Sequence, residues 1–167
     1  MSDQWVCNAS PLILLKHIGR LRLLTDLCNI LVVPKGVANE ILKYKEEAPT
    51  LEAFLASPKV TRVQSDITIE PGIAGWDLGK GESEVLSWAL THPEYEAILD
   101  DLSARKCARS LGTPLRGTVG IILLAKKRGY ISKAAPLIES LIDAGLRFDM
   151  KWINEALELV GESLKLD

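Results

Sequence analysis

Five side chains in this sequence could do chemistry together: Asn8, Glu40, Glu82, Asp100 and Asp101. Taken singly, each has an ordinary explanation. Glu82 fits the first turn of a helix, where the dipole favours acids. Asp100 or Asp101 fits a helix cap in "DDLSAR", and Glu40 fits a solvated helix surface. Taken together they argue more, because separate loops would deliver carboxylates to one place. Clustered carboxylates repel one another and become stable together when a divalent cation neutralises them. A Mg²⁺ or Mn²⁺ ion so held supports phosphoryl chemistry by activating water and stabilising charge on phosphate oxygens.

That grouping depends on the elements that carry the acids. "QWVC" is a short apolar run and reads as a first strand ending at Asn8. Ser10 before Pro11 reads as a helix N-cap followed by proline at the first helical position. The helix stops near Gly19, and "RLRLLTDLC" supplies a second short one. "NILVVP" is a β-branched second strand ended by Pro34. "KGVANEILKYKEE" then has helical spacing through Val37, Ile41 and Tyr44, and it carries Glu40 about two turns in. "TLEAFLA" is a further helix, and "VTRVQ" an outer or third strand.

"SDITIEPGIAGWDLGKGE" is rich in turn residues and reads as a long loop, a kind of segment that is often functional. The helix "ESEVLSWAL" follows. Val85, Leu86 and Ala89 lie three, four and seven residues beyond Glu82, so Glu82 falls on the line of the buried face, and Glu84 points elsewhere. "YEAILDD" is a fourth strand ending in two acids, "LSARKCARSL" a helix closed by Gly112, and "TPLRG" a brief strand. From Thr118 to about Val160 three helices form a tail, broken at Gly129 and Gly145.

Alternating strands and helices imply an α/β fold with a mostly parallel central sheet covered on both faces. Ligands of such sheets sit outside the carboxyl ends of the strands. Asn8, Glu40, Glu82, Asp100 and Asp101 are all expected there. Residues 1–167 suit a single domain, with no repeat or linker, and the helical tail begins at about 118.

Composition sets bounds. A net charge of -2 and a pI of about 5.8 exclude a protein coated in basic charge for nucleic acid. They leave room for a local basic rim, and Arg105, Lys106 and Arg109 or Lys126, Lys127 and Arg128 could supply it by phosphate contact. Aromatics at 5% predict an aliphatic core. Cys7, Cys28 and Cys107 form no CxxC pair and read as reduced, buried residues of a cytoplasmic protein. His17 and His92 have no partner at ligand spacing, which argues against zinc. The opening "MSDQW" has no basic region or apolar run, so no signal peptide is expected, and no apolar run reaches membrane-spanning length. "GWDLGKGES" fails as a phosphate loop, because Gly81 stands where Ser or Thr belongs and Ala74 where the first glycine belongs.

Four ordered motifs resemble those of PIN-domain proteins, in particular a prokaryotic branch that opens Asp/Asn-x-Ser-Pro-Leu. They are "NASPLILLKHIGRLRLL", "VVPKGVANEI", "LGKGESEVLSWAL" and "ILDDLSARKCARSLGTPLRGTVGIILLAKKRGYI". The resemblance runs from about Val6 to Ile131. It implies a PIN-like three-layer α/β/α fold and a Mg²⁺- or Mn²⁺-dependent ribonuclease. By position it makes Asn8 (usually Asp), Glu40, Glu82 and Asp100 or Asp101 the catalytic acids, the carboxylates among them the metal ligands, and Glu84 an accessory acid. Ser10 would hold the first loop and bind phosphate or water, with Arg105, Lys106 and Arg109 beside the RNA. Many relatives are toxins held by a small antitoxin protein, and many form homodimers. Asn8 departs from the usual acid and removes one negative charge. It therefore also admits a module that binds RNA or a protein partner without cutting.

Overall fold

The computed structural model describes residues 3–164. Its elements run β1 (Gln4–Cys7), α1 (Ala9–His17), α2 (Leu23–Leu27), β2 (Ile30–Val33), α3 (Lys35–Ile41), α4 (Ala48–Leu55), β3 (Val60–Arg62), α5 (Pro71–Ala74), α6 (Lys80–Thr91), β4 (Tyr95–Ile98), α7 (Leu102–Ser110), β5 (Leu115–Arg116), α8 (Thr118–Lys127), α9 (Ala135–Asp143) and α10 (Met150–Glu158).

The five strands form one sheet in the order β3-β2-β1-β4-β5, and every pairing is parallel. Parallel neighbours need crossover connections, which the intervening helices provide. Trp5, Val6 and Cys7 alternate between the two faces of β1, yet all three are buried. Both faces are therefore covered, and the helices and sheet make three α/β/α layers. The apolar runs of β1 and β2 are what burial on two faces demands.

The core is aliphatic, as the scarcity of aromatics predicts. Leu12, Leu15, Leu24, Leu31, Ile41, Leu86, Ile98 and Ile121 are among its largest fully buried members, with Trp5 the one aromatic ring in that group. The three cysteines are free and buried. Burial pushes the thiols of Cys7 and Cys28 up, the latter to about 12, so neither is a thiolate at neutral pH. Gly129 and Gly145 end α8 and α9 with positive φ (79° and 108°), a conformation that favours glycine. Among the described residues no helix is long and apolar enough to cross a membrane.

The backbone departs from the sequence pattern at four places. The N-cap of α1 is Asn8, and Ser10 lies inside the helix with its hydroxyl turned to Asp100 at 3.4 Å. Helix α3 ends at Ile41, and Tyr44 lies beyond it with 55% of its surface exposed. The apolar spacing runs on after the backbone has turned. The long loop contains α5, pinned by buried Ile73 and by a bond from the Glu70 N–H to Ser87 Oγ at 3.0 Å. Helix α6 starts at Lys80, two residues before Glu82.

Candidate functional site

From β1 the chain steps outward to β2 and β3, then returns to β4 on the other side of β1 and steps outward again to β5. The crevice of such a sheet opens where that direction reverses, outside the strand ends of β1 and β4. Asn8 follows β1 directly, and Asp100 stands two residues after β4.

The Asn8 backbone N–H donates to Ile98 O at 3.1 Å, which fixes the residue against β4. Its side chain is buried, with 2% of the residue exposed. The amide Nδ2 donates to Glu82 Oε1 at 3.2 Å. The other half of the amide, Oδ1, is buried without a hydrogen-bond partner. A lone buried acceptor costs free energy on the order of 1–3 kcal/mol, so its survival asks for a reason.

Helix α3 packs on α6 and brings Glu40 to the same place. Around Gly81, the point where a Cβ would stand is 3.0 Å from Asn8 Oδ1 and 3.3 Å from Glu40 Oε2. Glycine there keeps the space between the two oxygens open. Burial pushes the Glu40 carboxyl up, and the neighbouring charge of Glu82 pushes it further, against a pull from Lys43. Asn8, Ser10, Glu40 and Glu82, with Ile13 and Leu14, line a cavity of about 210 Å³. Glu40 and Glu82 also face a larger cleft of about 770 Å³, into whose walls Lys43, Lys80, Asp101 and Ser103 enter.

The two acids after β4 have different partners. Asp100 accepts from the Thr118 N–H at 2.8 Å and from the hydroxyls of Thr118 and Ser10. Burial still carries its carboxyl above the usual aspartate range, against the pull of those hydrogen bonds and of Arg105. Asp101 caps α7, its Oδ2 accepting from the Ala104 N–H at 2.9 Å. The capping role left open between the two acids thus goes to Asp101, at the rim of the larger cleft.

Glu84 overturns a reading of the helix. It is 1% exposed, whereas Glu82 is only half-buried. Helix α6 packs against α3, α5, α7, β1 and β4, so it buries far more than one stripe. The Glu84 carboxylate accepts from the Gly36 N–H at 2.9 Å, at the start of α3, and Lys80 lies 4.0 Å away. Glu84 therefore joins α3 to α6 and lies outside the cavity. Buried Ser83 and Ser87 on the same helix are the sequence signal that a second, polar stripe is covered.

The basic residues divide as well. Arg105 turns inward: one guanidinium nitrogen donates to Leu99 O at 3.0 Å, and Phe148 lies under its Cζ at 5.9 Å. Lys106 and Arg109 are exposed on α7. The second basic cluster is not at this edge. Arg128 bonds Leu27 O and Asp3, which lead into β2 and β1 at the opposite end of the sheet, and Lys126 pairs with Glu162 at 3.4 Å. Helix α8 starts at the site with Thr118 and carries these residues about 15 Å away along its ten residues. Sequence reasoning also missed Thr118 as an Asp100 partner, although "RGTVG" was legible as a motif, and missed Gly81 as the spacer of the cavity.

The family model that matches the chain is a PIN domain, and it covers residues 4–162. The chain belongs to the PIN-domain family. No curated protein and no solved structure matches it. A PIN domain is a nuclease fold and is generally dependent on a divalent metal. The residues of this PIN domain fit such an ion. Among the described residues, no three of His, Cys, Asp and Glu stand together as a metal site. An amide adds an oxygen to the two acids: Asn8 Oδ1, orphaned and buried, faces the same space as the Glu40 carboxylate, with Glu82 bonded to the other half of that amide. Two carboxylates and one neutral oxygen suit a small hard cation that keeps several of its waters.

Proposed function

We propose that this PIN-domain protein is a divalent-metal-dependent ribonuclease. The observation that carries the reading is the orphaned Asn8 Oδ1 beside Glu40 and Glu82. These three residues would hold Mg²⁺ or Mn²⁺, with Asp100 acting from the side through Ser10. Such an ion supplies charge neutralisation at the phosphate and a water acidic enough to become a nucleophile.

The chain's own residues do the rest. Asn8 Nδ2 orients the Glu82 carboxylate. Glu40 Oε2, beside the space that Gly81 keeps open, is a carboxylate oxygen placed to accept a hydrogen bond from a water there. Asp100, held by Thr118, accepts the Ser10 hydroxyl proton in a hydrogen bond and so leaves the Ser10 oxygen at the cavity wall as an acceptor for a water at the site. Lys43 and Lys80 line the open cleft, where a polyanion needs cations. RNA as the substrate and a toxin role opposed by a small antitoxin protein extend this reading. Growth arrest on induced expression tests the toxin role.

The direct test is RNA cleavage by purified protein in EDTA, Mg²⁺ and Mn²⁺, beside Glu82→Gln. Cleavage should require the metal and fall by about 10²–10⁴-fold in the variant. A second reading has its own observation: the Asn8–Glu82 hydrogen bond satisfies part of the site with no cation. A protein that binds RNA, cuts none with either metal and gains no activity from Asn8→Asp is a binding module.

A further inference from the structure

The C-terminal segment carries an aromatic pair that the acidic site does not use. Phe148 and Trp152 stack with ring centroids 4.9 Å apart and an interplanar angle of 29°. One face of the indole is taken by Phe148, yet 39% of Trp152 stays open to solvent. Phe148 also lies against Arg105, and Arg105 reaches the acidic site: a Cβ at Gly117 would meet both an Arg105 guanidinium nitrogen and Asp100 Oδ1. An open indole, a phenyl ring and a guanidinium thus form a line that ends in the space beside Gly117, which Arg105 shares with the Asp100 carboxylate. Beside it is a hollow of about 350 Å³ lined by Ile142, Leu146, Arg147, Phe148 and Met150.

From this continuity we propose that Trp152 and Phe148 form a stacking subsite for one unpaired base of the RNA, next to the scissile position. The proposal rests on the ribonuclease reading above. A base has a π-face that matches an open indole in size and polarity. Cationic groups adjoin the rings, with Glu155 one turn along α10 from Trp152 as an opposing acid. Arg105 and Arg109 stand one turn apart on α7, and Arg147 lines the hollow. The nearby acid Asp149 caps α10, its Oδ1 accepting from the Lys151 N–H at 2.9 Å. A duplex keeps its bases stacked on one another, so the ligand class is single-stranded RNA or an unpaired loop.

The experiment measures binding of a short fluorescent single-stranded RNA in EDTA, where cleavage is silent, and cleavage separately in Mn²⁺. Trp152→Ala should weaken binding about tenfold, and Trp152→Phe should restore most of it. An abasic site walked along the RNA should cost the wild type a similar factor at one position and cost Trp152→Ala nothing there. Equal binding by wild type and Trp152→Ala, or an abasic penalty unchanged by the substitution, overturns the subsite while metal-dependent cleavage stands. Self-association abolished by Trp152→Ala with RNA binding intact gives the surface to a second copy and overturns it too. A wild type that neither binds nor cuts RNA overturns both readings.

Discussion

Asn8→Asp replaces the amide NH2 by a carboxylate oxygen and changes the sign of a contact. In the native site Nδ2 donates to Glu82 Oε1 at 3.2 Å. The substituted carboxylate would face the same oxygen at the same distance with like charge. At an effective dielectric of about 20 two unit charges roughly 4 Å apart repel by about 4 kcal/mol. Glu82 is partly exposed, so solvent screening reduces this to about 1–3 kcal/mol. In a chain of 167 residues that is a drop of about 5 °C in Tm for the metal-free protein. Saturating Mn²⁺ should reverse the order, because the ion gains a full charge where it had an amide oxygen, and affinity should rise about tenfold or more. The assay is thermal melting of both proteins in EDTA and across a Mn²⁺ titration, with calorimetry for affinity. If the variant melts no lower than the wild type in EDTA and Mn²⁺ raises both equally, Asn8 and Glu82 do not share a metal site.

Three further perturbations separate the roles of neighbouring residues. Gly81→Ala would normally favour a helix by up to about 1 kcal/mol, but here the methyl sits 3.0 Å from Asn8 Oδ1. Stability should change little while Mn²⁺ affinity falls about tenfold, as calorimetry would show. Glu84→Ala strips the acceptor from the Gly36 N–H and should cost about 2–3 kcal/mol in urea denaturation, with Mn²⁺ affinity of the folded protein unchanged. Asp100 has its carboxyl raised by burial, so the folded state favours its protonated form. Its contribution to stability is present below the unfolded value of about 3.9 and is lost as pH rises through the higher folded value. This contribution to metal-free stability should therefore decline from about pH 4 upward, and the difference in stability between wild type and Asp100→Asn should shift with pH in that sense in denaturation curves at several pH values.

The strands were legible because β-branched runs bounded by proline and glycine leave little choice, and "ILVV" before Pro34 is the clearest case. The gathering of acids at one edge was legible because parallel topology puts every strand end on one side. The direction of each acid was not. Periodicity assigns a helix one buried face, and α6 has more than one, so Glu84 was set off the buried stripe of Glu82 when it is among the most buried polar residues. Nor does spacing say which of two adjacent acids will cap: Asp101 reaches the Ala104 N–H, and Asp100 is drawn to Thr118 from a part of the chain that no local pattern connects. The far basic cluster was misplaced for a similar reason, since nearness in sequence to Asp100 becomes distance once α8 runs the length of the sheet.

The position of β1 has a consequence for the order of folding. Its partners are β2, reached after a short crossover, and β4, which begins only at Tyr95. A nascent chain can pair β1 with β2 and β2 with β3 early, but one side of β1 then remains an open edge of unpaired N–H and C=O groups, the kind of edge that invites wrong partners. It stays open until the chain as far as Ile98 has been made. Closing it costs the loop entropy of the whole intervening chain, and the Asn8 N–H to Ile98 O bond lies at the last rung of that ladder. Asp100 and Ser10 come together in the same event. Closure of the vulnerable edge and assembly of the acidic centre are thus one step, and a chain caught before it has neither a sealed sheet nor a completed site.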